Sequence, residues 1–267
     1  MNQAHINQAR ITHIGGPTAL IEIGSLRLLT DPAFDPAGTQ YIVGPKVTTK
    51  TTDPALALAE LGSVDAVLLS HDHHNDNLDR AGRAYLPQVG QVLTTPAGAQ
   101  RLGNNARGLA TWETTELVGA DGLRVRVTAT PARHGPAKIK EVIGDVTGWL
   151  LEWDGQQQGA LYISGDTVFY EDLAELGKRY RIGAALLHFG AAQVAVYGPY
   201  HLTLTAQEGV QLAKILGEAT IIPIHYEGWA HFTEGRAEVE QAFSKAGLEQ
   251  RLRFLPFGQP VSISLLS

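Results

Sequence analysis

The sequence predicts an α+β protein in which two β-sheets pack face to face with helices on their outer sides, a four-layer αβ/βα sandwich. Short apolar, β-branched runs bounded by turn residues crowd the first half and lie close enough together to be joined as hairpins. In the second half similar runs are separated by segments of helical periodicity. Two kinds of strand connection in one chain of 267 residues, long enough for a large core, suggest two facing sheets with helices outside.

The elements follow in order. Residues 9–14 (ARITHI), 18–24 (TALIEIG), 26–31 (LRLLTD), 64–70 (VDAVLLS) and 90–95 (GQVLTT) read as strands. Residues 123–130 alternate, with Leu123, Val125, Val127 and Ala129 on one face and Arg124, Arg126, Thr128 and Thr130 on the other, the pattern of a half-buried strand. Further strands are expected at 146–153, 160–164, 183–189, 219–225, 252–255 (LRFL) and 260–265. Helices are expected at 53–61, 77–86, 96–103, 169–180, 205–216 and 234–247. In the clearest of them, 205–216, Thr205 and Glu208 stand at capping-box spacing, and Val210, Leu212, Ala213 and Leu216 recur on one face. No repeat, linker or low-complexity segment interrupts the chain, so one domain over 1–267 is expected.

Composition narrows the function. A net charge of −6 disfavours a sequence-independent nucleic-acid binder, which needs basic patches to displace counterions, and sits easily with a small neutral or cationic substrate. With no cysteine, any metal must rest on His, Asp, Glu or Asn. The first ten residues lack a basic segment followed by an apolar one, and no apolar run approaches the roughly 18 residues of a membrane span, so a cytoplasmic protein without membrane insertion is expected. Small soluble enzymes are often symmetric dimers, which makes a homo-oligomer compatible with the sequence.

The strongest chemical signal is Ser70-His71-Asp72-His73-His74-Asn75-Asp76-Asn77, placed directly after a buried strand. A strand end can aim several imidazoles and carboxylates at one point, as a Zn²⁺ site with N/O ligands requires. A solvated polar turn is the competing reading. Three more strands end on lone residues of ligand type: His134 after 123–130, Asp166 after 160–164 and His225 after 219–224. Each alone is weak; four strand ends of one kind in one small chain are hard to ascribe to coincidence.

These motifs, in this order, resemble the metallo-β-lactamase-fold hydrolases, in particular the branch of ascorbate-6-phosphate lactonases and N-acyl phosphatidylethanolamine phospholipase D-like enzymes. The matching segments are 11–32, LLSHDHHNDNLD at 68–79, TPARHG at 130–135, YISGDT at 162–167 and IPIHYEGW at 222–229. The family motif His-x-His-x-Asp-His is broken here. Anchored on the left, His71 and His73 fit its histidines; anchored on the right, Asp76 and Asn77 fit its end; a second register takes Asp72, His74, Asp76 and Asn77. The resemblance implies that His71, His73, His74 and Asp76 supply ligands, His134 completes a first metal site, Asp166 bridges two metals and His225 serves the second. It also places Asp31 beside the site, orienting a ligand histidine. Asn77 stands where the family has an imidazole, so one or two Zn²⁺ ions are expected, with Mn²⁺ or Fe as alternatives.

A centre of this kind activates water against an ester, lactone, amide or phosphodiester, with Asp76 orienting the water or carrying a proton and His201, in GPYHLT, as a candidate acid/base. The expected activity is therefore metal-dependent hydrolysis of a small molecule. The alternatives are a non-haem iron redox enzyme of the same fold and a non-catalytic metal-binding member, both separable by the metal bound. Candidates for the pocket wall are Phe169, His188, Tyr197, Tyr200, His201, Trp229 and His231, with His188 read as an interior hydrogen-bonded histidine and His5 and His13 as incidental.

Overall fold

A computed structural model of the chain describes residues 8–43 and 46–265. Its strands are β1 (Gln8–Gly15), β2 (Thr18–Ile23), β3 (Leu26–Thr30), β4 (Gln40–Val43), β5 (Lys46–Thr49), β6 (Ala66–Leu68), β7 (Gln91–Thr94), β8 (Ala106–Gly108), β9 (Thr114–Val118), β10 (Arg124–Thr130), β11 (Gly148–Trp153), β12 (Ala160–Ile163), β13 (Ile182–His188), β14 (Thr220–Ile224) and β15 (Pro260–Ser264). Its helices are α1 (Arg80–Tyr85), α2 (Pro96–Leu102), α3 (Lys140–Ile143), α4 (Ala174–Arg179), α5 (Ala206–Ile215) and α6 (Arg236–Lys245). One sheet runs β15-β1-β2-β3-β6-β7-β8 and the other β14-β13-β12-β11-β10-β9, with β4–β5 a separate hairpin. Each sheet has an antiparallel part and a parallel part: β3, β6, β7 and β8 are parallel in the first, β12, β13 and β14 in the second.

The period-2 pleat divides successive residues between different cores. Leu28, Leu68, Leu151, Leu161 and Leu186 point into the space between the sheets, where residues of both interleave. Their neighbours Leu150, Tyr162 and Leu187 face outward onto Leu176 of α4, Val210 and Leu212 of α5 and Phe243 of α6. On the other side Leu29 and Val67 turn outward to meet Leu61, Leu78 and Leu86. The predicted sandwich of two sheets between helical layers is thus the observed one, of the metallo-β-lactamase type. Among the described residues no helix is long and apolar enough to cross a membrane.

Several local expectations change. The helix expected at 53–61 is reduced to a 3₁₀ turn at Leu58–Glu60, because the Ala55 N–H is drawn to the Ile14 carbonyl of β1 and the chain cannot coil there. The helix expected from 77 begins at Arg80, with Asp79 as its cap accepting from Gly82 N at 2.8 Å. Residues 252–255 form no strand; Leu252 makes one isolated bridge to Ile221. The hairpin β4–β5, strands β8 and β9 and helix α3 are additions to the predicted set.

The expected cap of α5 is present in full. Thr205 Oγ1 accepts from Glu208 N at 3.1 Å, and Glu208 Oε2 accepts from Thr205 N at 3.0 Å. The second oxygen, Oε1, accepts from His201 Nε2 at 3.1 Å. That hydrogen bond raises the His201 pKa above its ordinary 6.5 against the opposing effect of burial. Thr205→Ala is expected to cost about 1 kcal/mol, read from urea unfolding. A raised histidine pKa contributes stability that is complete below pH 6.5 and disappears as pH climbs through the folded value. The stability gap between wild type and Glu208→Gln should therefore be wider at about pH 5.5 than at about pH 9, and a gap that widens toward alkaline pH would contradict the pairing.

Candidate metal centre

The loop leaving β6 is pinned at its first residue. Ser70 N donates to Asp31 Oδ1 at 2.7 Å, and the Ser70 carbonyl accepts from Thr147 N at 3.1 Å, so the two sheets grip it from opposite sides. Ser70 Oγ lies 2.9 Å from His71 Nδ1 and turns the His71 Nε2 face inward. Two residues beyond His71 the backbone has swung far enough to bring His74 Nδ1 within 3.0 Å of His71 Nε2 and 2.9 Å of His134 Nε2.

Hydrogen bonding alone does not satisfy this trio. His134 Nδ1 donates to the Leu202 carbonyl at 2.6 Å, which leaves Nε2 with a lone pair. His74 Nδ1 can carry one proton at most and faces two ring nitrogens, so at least one lone pair opposes another unless a cation stands between them. Burial, reinforced by the neighbouring imidazoles, holds His71 and His74 well below the usual histidine range, and burial also lowers His134. Neutral imidazoles in this arrangement are in the form a metal needs.

A second group adjoins the first. Asp166 follows β12 after Gly165, whose φ of +60° and closeness to the Thr147 carbonyl, 2.3 Å from where a Cβ would sit, restrict the position to glycine. Asp166 Oδ2 points at His134 Nε2 (3.8 Å) and Oδ1 at His225 Nε2 (3.7 Å). His225 ends β14 with φ +57°, an uncommon conformation for a non-glycine residue, held by its N–H to the Gly16 carbonyl at 2.8 Å. Its Nδ1 donates to the Phe189 carbonyl at 3.2 Å, and Nε2 looks toward Asp76 Oδ2 at 3.6 Å. Asp166 Oδ2, His225 Nε2 and Asn77 Oδ1 are buried without hydrogen-bond partners.

Gaps of 3.6–3.8 Å are too long for hydrogen bonds and close to the spacing of two ligands that each lie about 2.0–2.2 Å from a shared cation. Burial would lower the His225 pKa, yet Asp166 and Asp76 lift it to about 9, so the two carboxylates demand a positive charge here, as a proton or as a cation. The donor sets His71–His134–Asp166 and Asp76–Asp166–His225 both have ligand atoms within 4.8 Å of one another, and Asp166 belongs to both. The residues fit a metal.

Within 71–77 the structure follows neither register intact. Asp72 turns away and pairs with Arg101, whose Nε lies 2.9 Å from Oδ2. His73 stays within ligand reach of His71 and His74, but its Nε2 donates to the Ile143 carbonyl at 2.6 Å. Asn77 is buried and donates to Asp166 Oδ1 at 3.2 Å, steadying a carboxylate. Asp31 acts one residue away from a ligand histidine, through the Ser70 amide, and its other oxygen meets His188 Nε2 at 3.3 Å. Burial pushes Asp31 up to about 7 and His188 down to about 3, so this contact is a hydrogen bond between neutral groups.

A cavity of about 260 Å³ opens above the centre, floored by His74, Asp76 and His134. Of the expected wall residues Tyr197, Trp229 and His231 line it. His201 is not brought there and pairs with Glu208; Phe169 and Tyr170 pack against the α4–α5 core, and His188 is interior. His13 is fully buried with Nε2 3.0 Å from the Gly16 carbonyl, and His5 lies outside the described residues. The reading of the sequence missed the hairpin β4–β5, which adds Ile42, Val43 and Thr48 to the wall, although the Gly44-Pro45 pair between two alternating runs is a turn signal. Thr48 Oγ1 lies 2.8 Å from His231 Nδ1, and His231 Nε2 lies 2.9 Å from Asp76 Oδ2.

A family profile described as a Beta-lactamase superfamily domain matches residues 26–226. A UPF0173 metal-dependent hydrolase of Pelotomaculum thermopropionicum is 27% identical over 249 residues, 89% of this chain and 92% of the relative. An isothiocyanate hydrolase from Delia radicum gut bacteria superposes with a TM-score of 0.78 at 24% identity, over 96% of this chain and 99% of the other. A possible metal-dependent hydrolase from Veillonella parvula superposes with a TM-score of 0.80 at 19% identity, over 96% and 100%. With the profile spanning most of the chain and both sheets in place, the protein belongs to the beta-lactamase superfamily and is an enzyme of its metal-dependent hydrolases.

Proposed function

We propose that the chain hydrolyses a small ester, lactone or phosphodiester at a centre held by His71, His74, His134, Asp166, Asp76 and His225, with His73 as a further donor at its rim. The observation that carries this reading is the convergence of buried, unpartnered ligand atoms beneath one cavity. Zn²⁺ suits the N/O donor set, with Mn²⁺ or Fe as alternatives. Such a cation supplies Lewis acidity, polarising a substrate oxygen and bringing the pKa of a coordinated water from 15.7 down toward about 7.

The protein's own groups do the rest. Thr48 donates to His231 Nδ1, which fixes the tautomer that donates from Nε2 to Asp76 Oδ2. Burial pushes the Asp76 carboxyl up, but His225 and His231 outweigh it and hold it well below the usual range, so it stays ionised. An ionised, anchored carboxylate on the floor can accept a proton from an attacking water and keep that water in line with the electrophile. Leu202, through its carbonyl, keeps His134 Nε2 directed at the same space.

Metal content per chain by plasma emission spectrometry tests the assignment. Asp166→Ala should lose the most metal, because it removes a donor from both groups, with His134→Ala next; unchanged content in both, with circular dichroism intact, overturns the site. Ser70→Ala removes the partner of His71 Nδ1 and is expected to weaken metal affinity by about 10- to 100-fold in chelator competition. His201→Asn should leave kcat/KM within a factor of about two. The substrate panel should set esters, lactones and phosphodiesters beside isothiocyanates, since a structural relative is an isothiocyanate hydrolase.

A further inference from the structure

The walls above the centre have two origins and one chemistry. Ile42 and Val43 come from β4, and Val194 and Tyr197 from the segment after β13. Among the described residues no lysine or arginine lines the cavity; its polar groups are imidazoles, an amide, a hydroxyl and the Asp76 carboxylate. The nearby cations are engaged elsewhere: Lys50 Nζ donates to the Ala33 carbonyl at 2.7 Å and Arg101 pairs with Asp72. An anionic substrate would meet a carboxylate with no cationic side chain to receive it.

The apolar character continues outward. Ile42 is 82% exposed, and its cross-strand partner Val47 is 56% exposed. Val196, beside Tyr197, is 49% exposed. Single exposed aliphatic residues are ordinary, but three on the two elements that wall one pocket form a patch of the kind that marks a binding surface. The cavity, about 260 Å³, falls just below the roughly 300–1,000 Å³ of sites for drug-sized ligands, so what it holds is short.

We propose that the pocket selects an uncharged substrate with a short aliphatic arm: the reacting carbon lies over His74, Asp76 and His134, and the arm runs out between Ile42 and Val194. This deepens the hydrolase reading and rests on it for the position of the reacting carbon. It favours the ester and lactone side of that reading and excludes phosphodiesters.

The test uses metal-loaded protein and a ligand that cannot be hydrolysed. Methyl ketones from 2-butanone to 2-heptanone should bind with a Kd that falls about fourfold per added methylene by calorimetry, the factor expected when each CH₂ leaves water. Ile42→Ser and Val194→Ser should flatten that dependence; Ile42 is exposed enough that its replacement leaves the core untouched. In parallel, kcat/KM for p-nitrophenyl esters should climb from acetate to hexanoate while bis(p-nitrophenyl) phosphate is left intact. Ketone binding without chain-length dependence, or preferential cleavage of the phosphodiester, overturns the proposal. Chain-length-dependent ketone binding with no turnover across the panel supports the pocket assignment and overturns the hydrolase reading instead.

Discussion

Two carboxylates, Asp76 and Asp166, are buried at the meeting point of the two sheets without a permanent cation between them, and much of the surrounding architecture answers that constraint. A buried charge is tolerated only when paired or coordinated. The neighbouring basic side chains are turned to other duties, Lys50 to the cap residue Asp79 and the Ala33 carbonyl, Arg101 to Asp72. What remains near the carboxylates is a set of imidazoles, three of them lowered by burial into their neutral form and one, His225, lifted by the two acids. A divalent cation satisfies both demands together: it neutralises the carboxylates and receives the lone pairs that hydrogen bonding leaves facing each other.

The sheets are built to hold this arrangement rather than merely to permit it. Asp166 and His225 leave β12 and β14, the parallel strands of one sheet, while the His71 loop leaves β6, in the parallel part of the other. Parallel strands share an end, so their exits gather at one place, and the hairpin-linked strands on the far side carry none of the ligands. Backbone conformations that cost energy are concentrated there as well: Asp31 has φ +30° and His225 +57°. Each is over-determined by its contacts, Asp31 by Ser70 N and His188, His225 by Gly16 and Phe189. The ligand side chains are thereby set before anything binds.

Residue type combined with strand-end position was enough to find His71, His134, Asp166 and His225 in the sequence, because a buried run delivers its last residue to a predictable edge. The register of 71–77 was not legible. Asp72 is turned out by Arg101, on α2, and His73 is held by the Ile143 carbonyl at the end of α3; neither partner leaves a trace in the local motif. His201 drew attention by standing before a capped helix, yet the cap itself takes it, since a capping-box glutamate has a second oxygen free to accept. The hairpin β4–β5 went unread for the opposite reason to the core strands: Ile42 and Val47 face solvent, and a strand without a buried face gives little hydrophobic pattern.

The break in the family motif and the character of the pocket share one electrostatic logic. The extra residue carries Asp72 out to Arg101, and Asn77 is neutral, so the anionic charge left in the centre is that of Asp76 and Asp166 alone. One divalent cation balances two carboxylates. A centre so balanced offers no net attraction to an anion, and walls without lysine or arginine offer none either. Discrimination must then come from the removal of apolar surface from water, which favours a substrate in proportion to its hydrocarbon and is indifferent to charge except as a penalty. The loss of a charged ligand position inside and the absence of cations outside thus select in the same direction, toward uncharged molecules.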